Sequence, residues 1–192
     1  MAIVVVSVYD KFLIGKESRF LRDIYPDVRH QERFQLPGDY MKYYKNMCKK
    51  LTQKHGMRIQ FDTPDIYPNY TRTRFRYLRN DWKYGIVKGG FKPQKDTTTL
   101  DNAVREFNEE VMTFEDRNAF ENLNMKVHGR EVYKVSFQTE TELCAAISQR
   151  KTMFYGELFD VELKSINEIK QVWRNINHVS KQVLTLIDPS FS

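Results

Sequence analysis

Residues Leu100 to Val111 divide into two stripes. Wound as a helix at about 100° per residue, Leu100, Val104, Phe107 and Val111 gather on one side. With Glu106 at the origin, Glu109 falls at about −60° and Glu110 at about +40°. One side can therefore bury against a sheet while three carboxylates converge in space on the other. Carboxylates that close repel one another unless positive charge sits among them. Hard divalent cations such as Mg²⁺ take oxygen ligands of this kind. Acid-rich helical faces are ordinarily just solvated, so the residues before the helix carry the decision.

Those residues are Trp82, Tyr84, Ile86 and Val87, an apolar segment, followed by Lys88-Gly89-Gly90. A loop from Phe91 leads to Thr98 or Thr99, either of which can cap the helix. The order is strand, glycine turn, loop, acidic helix. In this the chain resembles the Nudix hydrolases, whose signature reads G-x5-E-x7-R-E-U-x-E-E-x-G-U, with U a bulky apolar residue. Arg105-Glu106-Phe107-Asn108-Glu109-Glu110 matches the R-E-U-x-E-E core in full, and Ala103-Val104 before it is also typical. The loop departs from the pattern. Counted from Gly90, the first-Glu position holds Asp96, with eight residues instead of seven before Arg105. Counted back from Arg105, it holds Thr97. Met112 replaces the closing Gly and Thr113 the final apolar residue. One inserted loop residue, with Asp96 standing in for the first Glu, accounts for these differences.

The resemblance implies an α/β fold, the Nudix α/β/α sandwich with a mixed sheet. It implies Mg²⁺ or Mn²⁺ held by Glu106, Glu109 and Glu110, with Asp96 as the replacement ligand. Arg105 would brace the loop and orient a carboxylate, Lys88 would face phosphate, and Gly89 and Gly90 would let the backbone turn close to the site. Either Glu109 or Glu168 would accept the proton from water. Glu168 is chosen because the stretch Ile166 to Trp173 looks like the segment leading into the last core strand of many Nudix enzymes; Glu157, Glu140 and Glu142 stand behind it.

The layout along the chain is that of a core with an insertion. Residues 2–8 and Phe12–Gly15 read as a hairpin about Tyr9-Asp10-Lys11. Residues 20–80 are more than a minimal Nudix domain needs and read as a small, mainly helical, basic lobe, leaving 1–19 and 81–192 as the catalytic core. Within the lobe, a helix is expected from Tyr40 to about His55, stopped by Gly56. Residues 59–70, with Pro64 and Pro68, read as loop. Phe114 to Leu123 reads as a short helix, Lys126 to Thr139 as one or two strands turning at Gly129-Arg130, residues 141–147 as helix, 153–163 as strand and 177–186 as a closing helix.

Thr71 to Lys83 interleaves Arg72, Arg74, Arg76 and Arg79 with Phe75, Tyr77 and Trp82. Guanidinium forks suit phosphate oxygens and aromatic faces suit bases, so Arg72, Arg74, Arg76 and Trp82 are candidate substrate contacts. The competing reading is a surface helix with its rings inward and its arginines in water. Net charge is +6 over 192 residues, a balance that fits a polyanionic substrate. Cys48 and Cys144 read as two free thiols in a reducing compartment, the cytoplasm. The four histidines show no metal-ligand spacing. No apolar run is long enough to span a bilayer, so no membrane is expected.

The insertion, the basic tract and the K-G turn together resemble the mRNA-decapping Nudix enzymes of large DNA viruses. That implies release of 7-methylguanosine diphosphate and a 5′-monophosphate RNA, in the cytoplasm of an infected cell, with no DNA specificity. The alternatives are a small-molecule pyrophosphatase acting on dinucleoside polyphosphates, nucleotide sugars or diphosphoinositol polyphosphates, and a degenerate Nudix domain that binds RNA without hydrolysing it. A nucleic-acid-binding α/β domain with a chance acidic helix is the reading furthest from these.

Overall fold

The computed structural model describes residues 1–21, 24–25, 40–62, 74–78, 83–112, 114, 116–148 and 158–191. The chain is α/β, with a mixed sheet and five α-helices among the described residues. Its strands are β1 (Ala2–Val8), β2 (Lys11–Glu17), β3 (Arg19–Phe20), β4 (Arg58–Asp62), β5 (Arg74–Leu78), β6 (Tyr84–Gly85), β7 (Val87–Gly89), β8 (Phe120–Val127), β9 (Arg130–Ser136) and β10 (Leu158–Ser165). Its helices are α1 (Tyr40–His55), α2 (Thr99–Glu110), α3 (Glu140–Ser148), α4 (Ile166–Gln171) and α5 (His178–Ile187). The chain divides into two compact units, one of Met1–Lys16, Lys83–Arg150 and Asp160–Ser192, the other of Glu17–Trp82 and Lys151–Phe159.

In the first unit the sheet order is β10-β2-β1-β9-β8. β1 is apolar but for Ser7 and buried along its whole length, as suits a central strand covered on both faces. It runs parallel to β9, from Ala2 opposite Glu131 to Ser7 opposite Ser136. On its other side it meets β2 at Ser7 and Val8, and β7 at Ala2, Ile3 and Val4. The β1–β2 turn and the Gly89 turn therefore lie at opposite ends of β1, roughly 20 Å apart at about 3.3 Å per residue.

Val132 and Tyr133 are neighbours in β9, so they point to opposite faces. Val132 packs with Ile3, Val5, Ile169 of α4 and Val183 and Leu184 of α5. Tyr133 places its hydroxyl 2.9 Å from Thr99 Oγ1 of α2. Thus α2 covers one face, and α4 with α5 covers the other. Under α2, Phe107 meets Phe120 edge-on at 5.6 Å and Phe114 at 5.9 Å. This is the apolar stripe of the helix finding its sheet.

Several elements differ from the sequence reading. A three-residue 3₁₀ turn at Arg117–Ala119 stands where a second helix is expected, and β8 begins at once at Phe120. Asp116 ends the option of helix, because its carboxylate accepts the Asn118 N–H and closes a tight turn instead. The β8–β9 turn is His128-Gly129, with φ of 50° and 73°. The stretch from Ile166 does not lead into a strand but forms α4, followed by a 3₁₀ turn at Trp173–Asn175. Residues 153–157 of the expected strand lie outside the described residues.

The second unit is not mainly helical in its described part. It holds α1 and a three-stranded antiparallel sheet in the order β3-β5-β4. Cys48 and Leu51 of α1 pack against Leu21, Ile59, Phe75 and Tyr77, and burial pushes the Cys48 thiol pKa up to about 12. Gly56, at φ +65°, ends α1 where expected. The stretch read as loop begins as β4, which ends at Asp62, before either proline can remove a ladder hydrogen bond.

Candidate functional site

α2 starts sharply. Thr98 is its N-cap and accepts the Asp101 N–H at 3.1 Å, while the Asp101 carboxylate accepts the Thr98 N–H at 2.7 Å. This reciprocal box satisfies two otherwise orphaned donors. Arg117 also binds Asp101, and that bond, with those from Thr98 and Thr97, draws the Asp101 pKa down to about 2. The first turn of the helix is thus fixed, and the positions of Arg105 to Glu110 follow from it.

Arg105 is the hub of the site. Its Nε donates to Asp96 Oδ1 at 2.8 Å and its Nη2 to Asp96 Oδ2 at 2.8 Å, a bidentate fork. Nη2 also donates to the Gly90 carbonyl at 2.8 Å. Nη1 lies 2.7 Å from Glu106 Oε1 and 3.0 Å from Glu109 Oε2. One guanidinium thereby ties the glycine turn, the loop and two helix carboxylates together. Burial alone would lower the Arg105 pKa; Asp96, Glu106 and Glu109 more than reverse that and raise it above its ordinary value.

Asp96 is 3% exposed, so its position matters. Burial pushes its pKa up, but the Arg105 bonds and the Lys92 N–H at 2.7 Å outweigh burial and hold it below the ordinary carboxylate range. The loop is closed by Lys95 and Asp96 N–H groups, both donating to the Lys92 carbonyl at 2.8 Å. Both Asp96 oxygens accept from Arg105, so in this arrangement Asp96 anchors the arginine that also faces Glu106 and Glu109.

The two glycines do different things. A Cβ built on Gly89 would lie 1.8 Å from Glu106 Cδ, so the Glu106 carboxyl fills the space a side chain would take. A Cβ on Gly90 meets nothing within 4 Å. Gly90 contributes its carbonyl, which accepts from Arg105 and, at 3.1 Å, from Asn102 Nδ2. Lys88 stands between Val87 and Gly89 in β7, opposite Ile3 and half-buried.

Glu106 and Glu110 are buried, and Glu109 is nearly so. Lys92 Nζ lies 3.2 Å from Glu109 Oε2. Hard carboxylate oxygens are the donors that Mg²⁺ or Mn²⁺ takes, and three arise here within two turns of one helix. As they stand, Arg105 Nη1 is shared between Glu106 and Glu109. Among the described residues, no group of three or more Asp, Glu, His or Cys side chains is gathered closely enough to hold a metal ion.

Glu168 lies elsewhere. It is the third residue of α4, and its carboxylate accepts from Ser165 N at 2.7 Å and Ser165 Oγ at 2.8 Å. Those bonds, then Lys164 and Lys11, lower its pKa. Lys11 is opposite Val8, at the far end of β1 from the Gly89 turn. Glu168 therefore caps a helix and is not brought beside Glu106. Glu140 pairs with Lys11 at 2.6 Å, Glu142 is exposed on α3, and Glu157 is outside the described residues.

Of the basic tract, Arg72 and Trp82 are outside the described residues, and Arg74 opens β5 opposite Asp62. Arg76 is 5% exposed, with its guanidinium carbon 4.1 Å from the Phe20 ring centroid. It is packed inside the second unit and is not an exposed phosphate contact. The reason is that β5 is a strand whose residues 75–78 are all buried.

Lys92 and Asn102 are site residues that no motif in the sequence marks. Asn102 is three residues before Arg105 and four before Glu106, so helical spacing alone places it on their side. Lys92 carried no signal beyond its nearness to the glycines. Comparison with known proteins finds no family model, no curated protein and no solved structure that matches this chain.

Proposed function

We propose that this chain is a Nudix-type hydrolase of diphosphate linkages, acting on the 5′ cap of RNA. The observation that carries the reading is the Arg105 hub. It joins a glycine turn to an acidic helix in the way the R-E-U-x-E-E resemblance implies, and the Glu106 carboxyl it holds fills the space beside Gly89. The helices on both faces of a mixed sheet support the α/β/α sandwich.

In this reading Glu106, Glu109 and Glu110 would hold Mg²⁺ or Mn²⁺ once their carboxylates, two of them now facing Arg105, draw together about it. The bound cation would offset phosphate charge and acidify a water. Arg105 keeps Glu106 and Glu109 at fixed positions, and Asp96 keeps Arg105 in place. Lys92 orients Glu109 from the loop side. Glu109 is the acid proposed to take the proton from water, since Glu168 is tied to its helix cap. Net positive charge favours a polyanionic substrate, whether capped RNA, a dinucleoside polyphosphate or a diphosphoinositol polyphosphate; the insertion before the K-G turn is what favours capped RNA among them.

The test is hydrolysis of RNA labelled in its cap phosphates, with Mg²⁺ or Mn²⁺, beside the Glu109→Gln/Glu110→Gln double variant. Release of methylated guanosine diphosphate, reduced at least about 100-fold in the variant, is expected. Hydrolysis of dinucleoside polyphosphates or diphosphoinositol polyphosphates alone would keep the hydrolase and discard the cap. RNA binding without any metal-dependent hydrolysis would leave a binding domain, a reading favoured by the engagement of both Asp96 oxygens with Arg105.

A further inference from the structure

We propose that Lys92 is an exchangeable counter-ion of Glu109: its ammonium orients that carboxylate while no substrate is bound, and passes to a phosphate oxygen of the substrate when Glu109 takes a divalent cation. The proposal rests on the reading of Glu109 as a cation ligand in a diphosphate hydrolase, and it gives Lys92 a direct contact with substrate.

Two cations meet Glu109, and they differ in what holds them. Arg105 Nη1 lies 3.0 Å from Glu109 Oε2, on a side chain only 12% exposed. The rest of that guanidinium is committed, with Nε and Nη2 forked onto Asp96 and Nη2 also donating to the Gly90 carbonyl. Lys92 Nζ lies 3.2 Å from Glu109 Oε2 and 3.4 Å from Oε1, on a side chain 36% exposed. A forked guanidinium turns only if several bonds break together. An ammonium on a flexible four-carbon stem swings by rotating single bonds, and a partly solvated pair of this kind is weak. Of the two cations, Lys92 is the one that can leave.

The base of that stem is fixed. The Lys92 N–H donates to Asp96 Oδ2 at 2.7 Å, and the Lys92 carbonyl accepts from the Lys95 and Asp96 N–H groups at 2.8 Å each. Asp96 is itself forked to Arg105. The Lys92 backbone is therefore held relative to Arg105 and Glu109, and the exchange needs side-chain rotation without movement of the loop. Charge sets its direction. Lys92 is attracted to a bare Glu109 carboxylate but repelled from one that shares its oxygens with a divalent cation. A phosphate brought to the same carboxylates is then its nearest acceptor, and an ammonium serves phosphate as a point charge that needs no fixed fork geometry.

The test reads two affinities on the full chain, with opposite expected signs. Mn²⁺ binding would be followed by electron paramagnetic resonance of the free ion. Guanosine 5′-(α,β-methylene)diphosphate, whose carbon bridge cannot be hydrolysed, would be titrated by calorimetry at saturating Mn²⁺. Lys92→Gln should bind Mn²⁺ about tenfold tighter, because a competitor is removed, and the analogue about tenfold weaker, because a charge-assisted contact is lost. Lys95→Gln removes the same charge from the same loop and should change each affinity by less than about threefold. Equal shifts in the two variants reduce the effect to net charge and overturn the proposal. Weakening of both ligands by Lys92→Gln, the mark of a merely structural lysine, overturns it as well. Mn²⁺ binding that is lost in Glu109→Gln but indifferent to Lys92→Gln keeps the hydrolase reading and overturns this inference alone. A native chain that does not bind Mn²⁺ and the analogue together removes the hydrolase reading, and this inference with it.

Discussion

Arg105 and Arg76 both sit largely out of water, and they serve opposite ends. Arg105 gathers three acids, Asp96, Glu106 and Glu109, and the neutral Gly90 carbonyl also accepts from it. Arg76 lies over the Phe20 ring within the core of the second unit. In the first unit an arginine orders a cluster of charge around itself. In the second an arginine from the most basic tract is absorbed into packing. What surrounds a guanidinium, and not how basic its segment is, decides whether its charge can serve a ligand.

The contrast is broken most severely at its first member. Arg105→Met leaves buried carboxylates uncompensated and should cost about 3–5 kcal/mol in urea unfolding. A loss below about 1 kcal/mol, within the range of surface pairs, would mean the hub is only superficial.

Asp96→Asn should cost less, about 1–3 kcal/mol, since Glu106 and Glu109 still face Arg105. It should also change the pH dependence. The folded Asp96 pKa is lowered, so its stabilisation is complete above the ordinary aspartate value of about 3.9 and is lost as pH falls through the lower folded value. Native stability should therefore decline across the acid range, and the decline should be shallower in Asp96→Asn. Urea midpoints at a series of acidic pH values would show it; parallel curves would refute the coupling.

Arg76→Lys tests the other member. Lysine keeps the charge but loses the planar stack, so unfolding should shift by about 1–2 kcal/mol. RNA binding should not follow. A variant that unfolds normally yet binds RNA poorly would return Arg76 to the substrate contacts.

The glycines give the finest distinction. Gly90→Ala keeps the carbonyl and meets open space, so its stability should change by less than about 0.5 kcal/mol. Gly89→Ala must push aside the flexible Glu106 side chain, so stability falls little while metal-dependent hydrolysis falls steeply. Equal activity in the two alanine variants would show that the Glu106 position over Gly89 is unimportant.

The pattern of α2 was open to reading because helical period is a local property: Leu100, Val104, Phe107 and Val111 announce their face without help. The N-cap was equally local. The uses of Asp96 and Lys92 are not, because they depend on how a loop closes onto a helix nine and seventeen residues away. Glu168 is a different case. Ser165-Ile166-Asn167-Glu168 is a capping-box pattern, so its cap role is legible in the chain, while its likeness to a catalytic segment points the other way. Arg76 shows where alternation fails. Arginines and aromatics alternate through 74–77, which suggests one wet and one dry face, yet all of Phe75 to Leu78 is buried.

The pairing of β1 has a consequence for synthesis. Its parallel partner β9 is made roughly 130 residues later, which at ribosomal speeds is on the order of ten seconds. Until then β2 meets β1 only at Ser7 and Val8, and Ala2 to Val6 offers an apolar strand with an open edge. Such an edge is a template for pairing with other chains. The strand that anchors the Gly89 turn is thus also one that nascent copies of this protein must be kept from sharing.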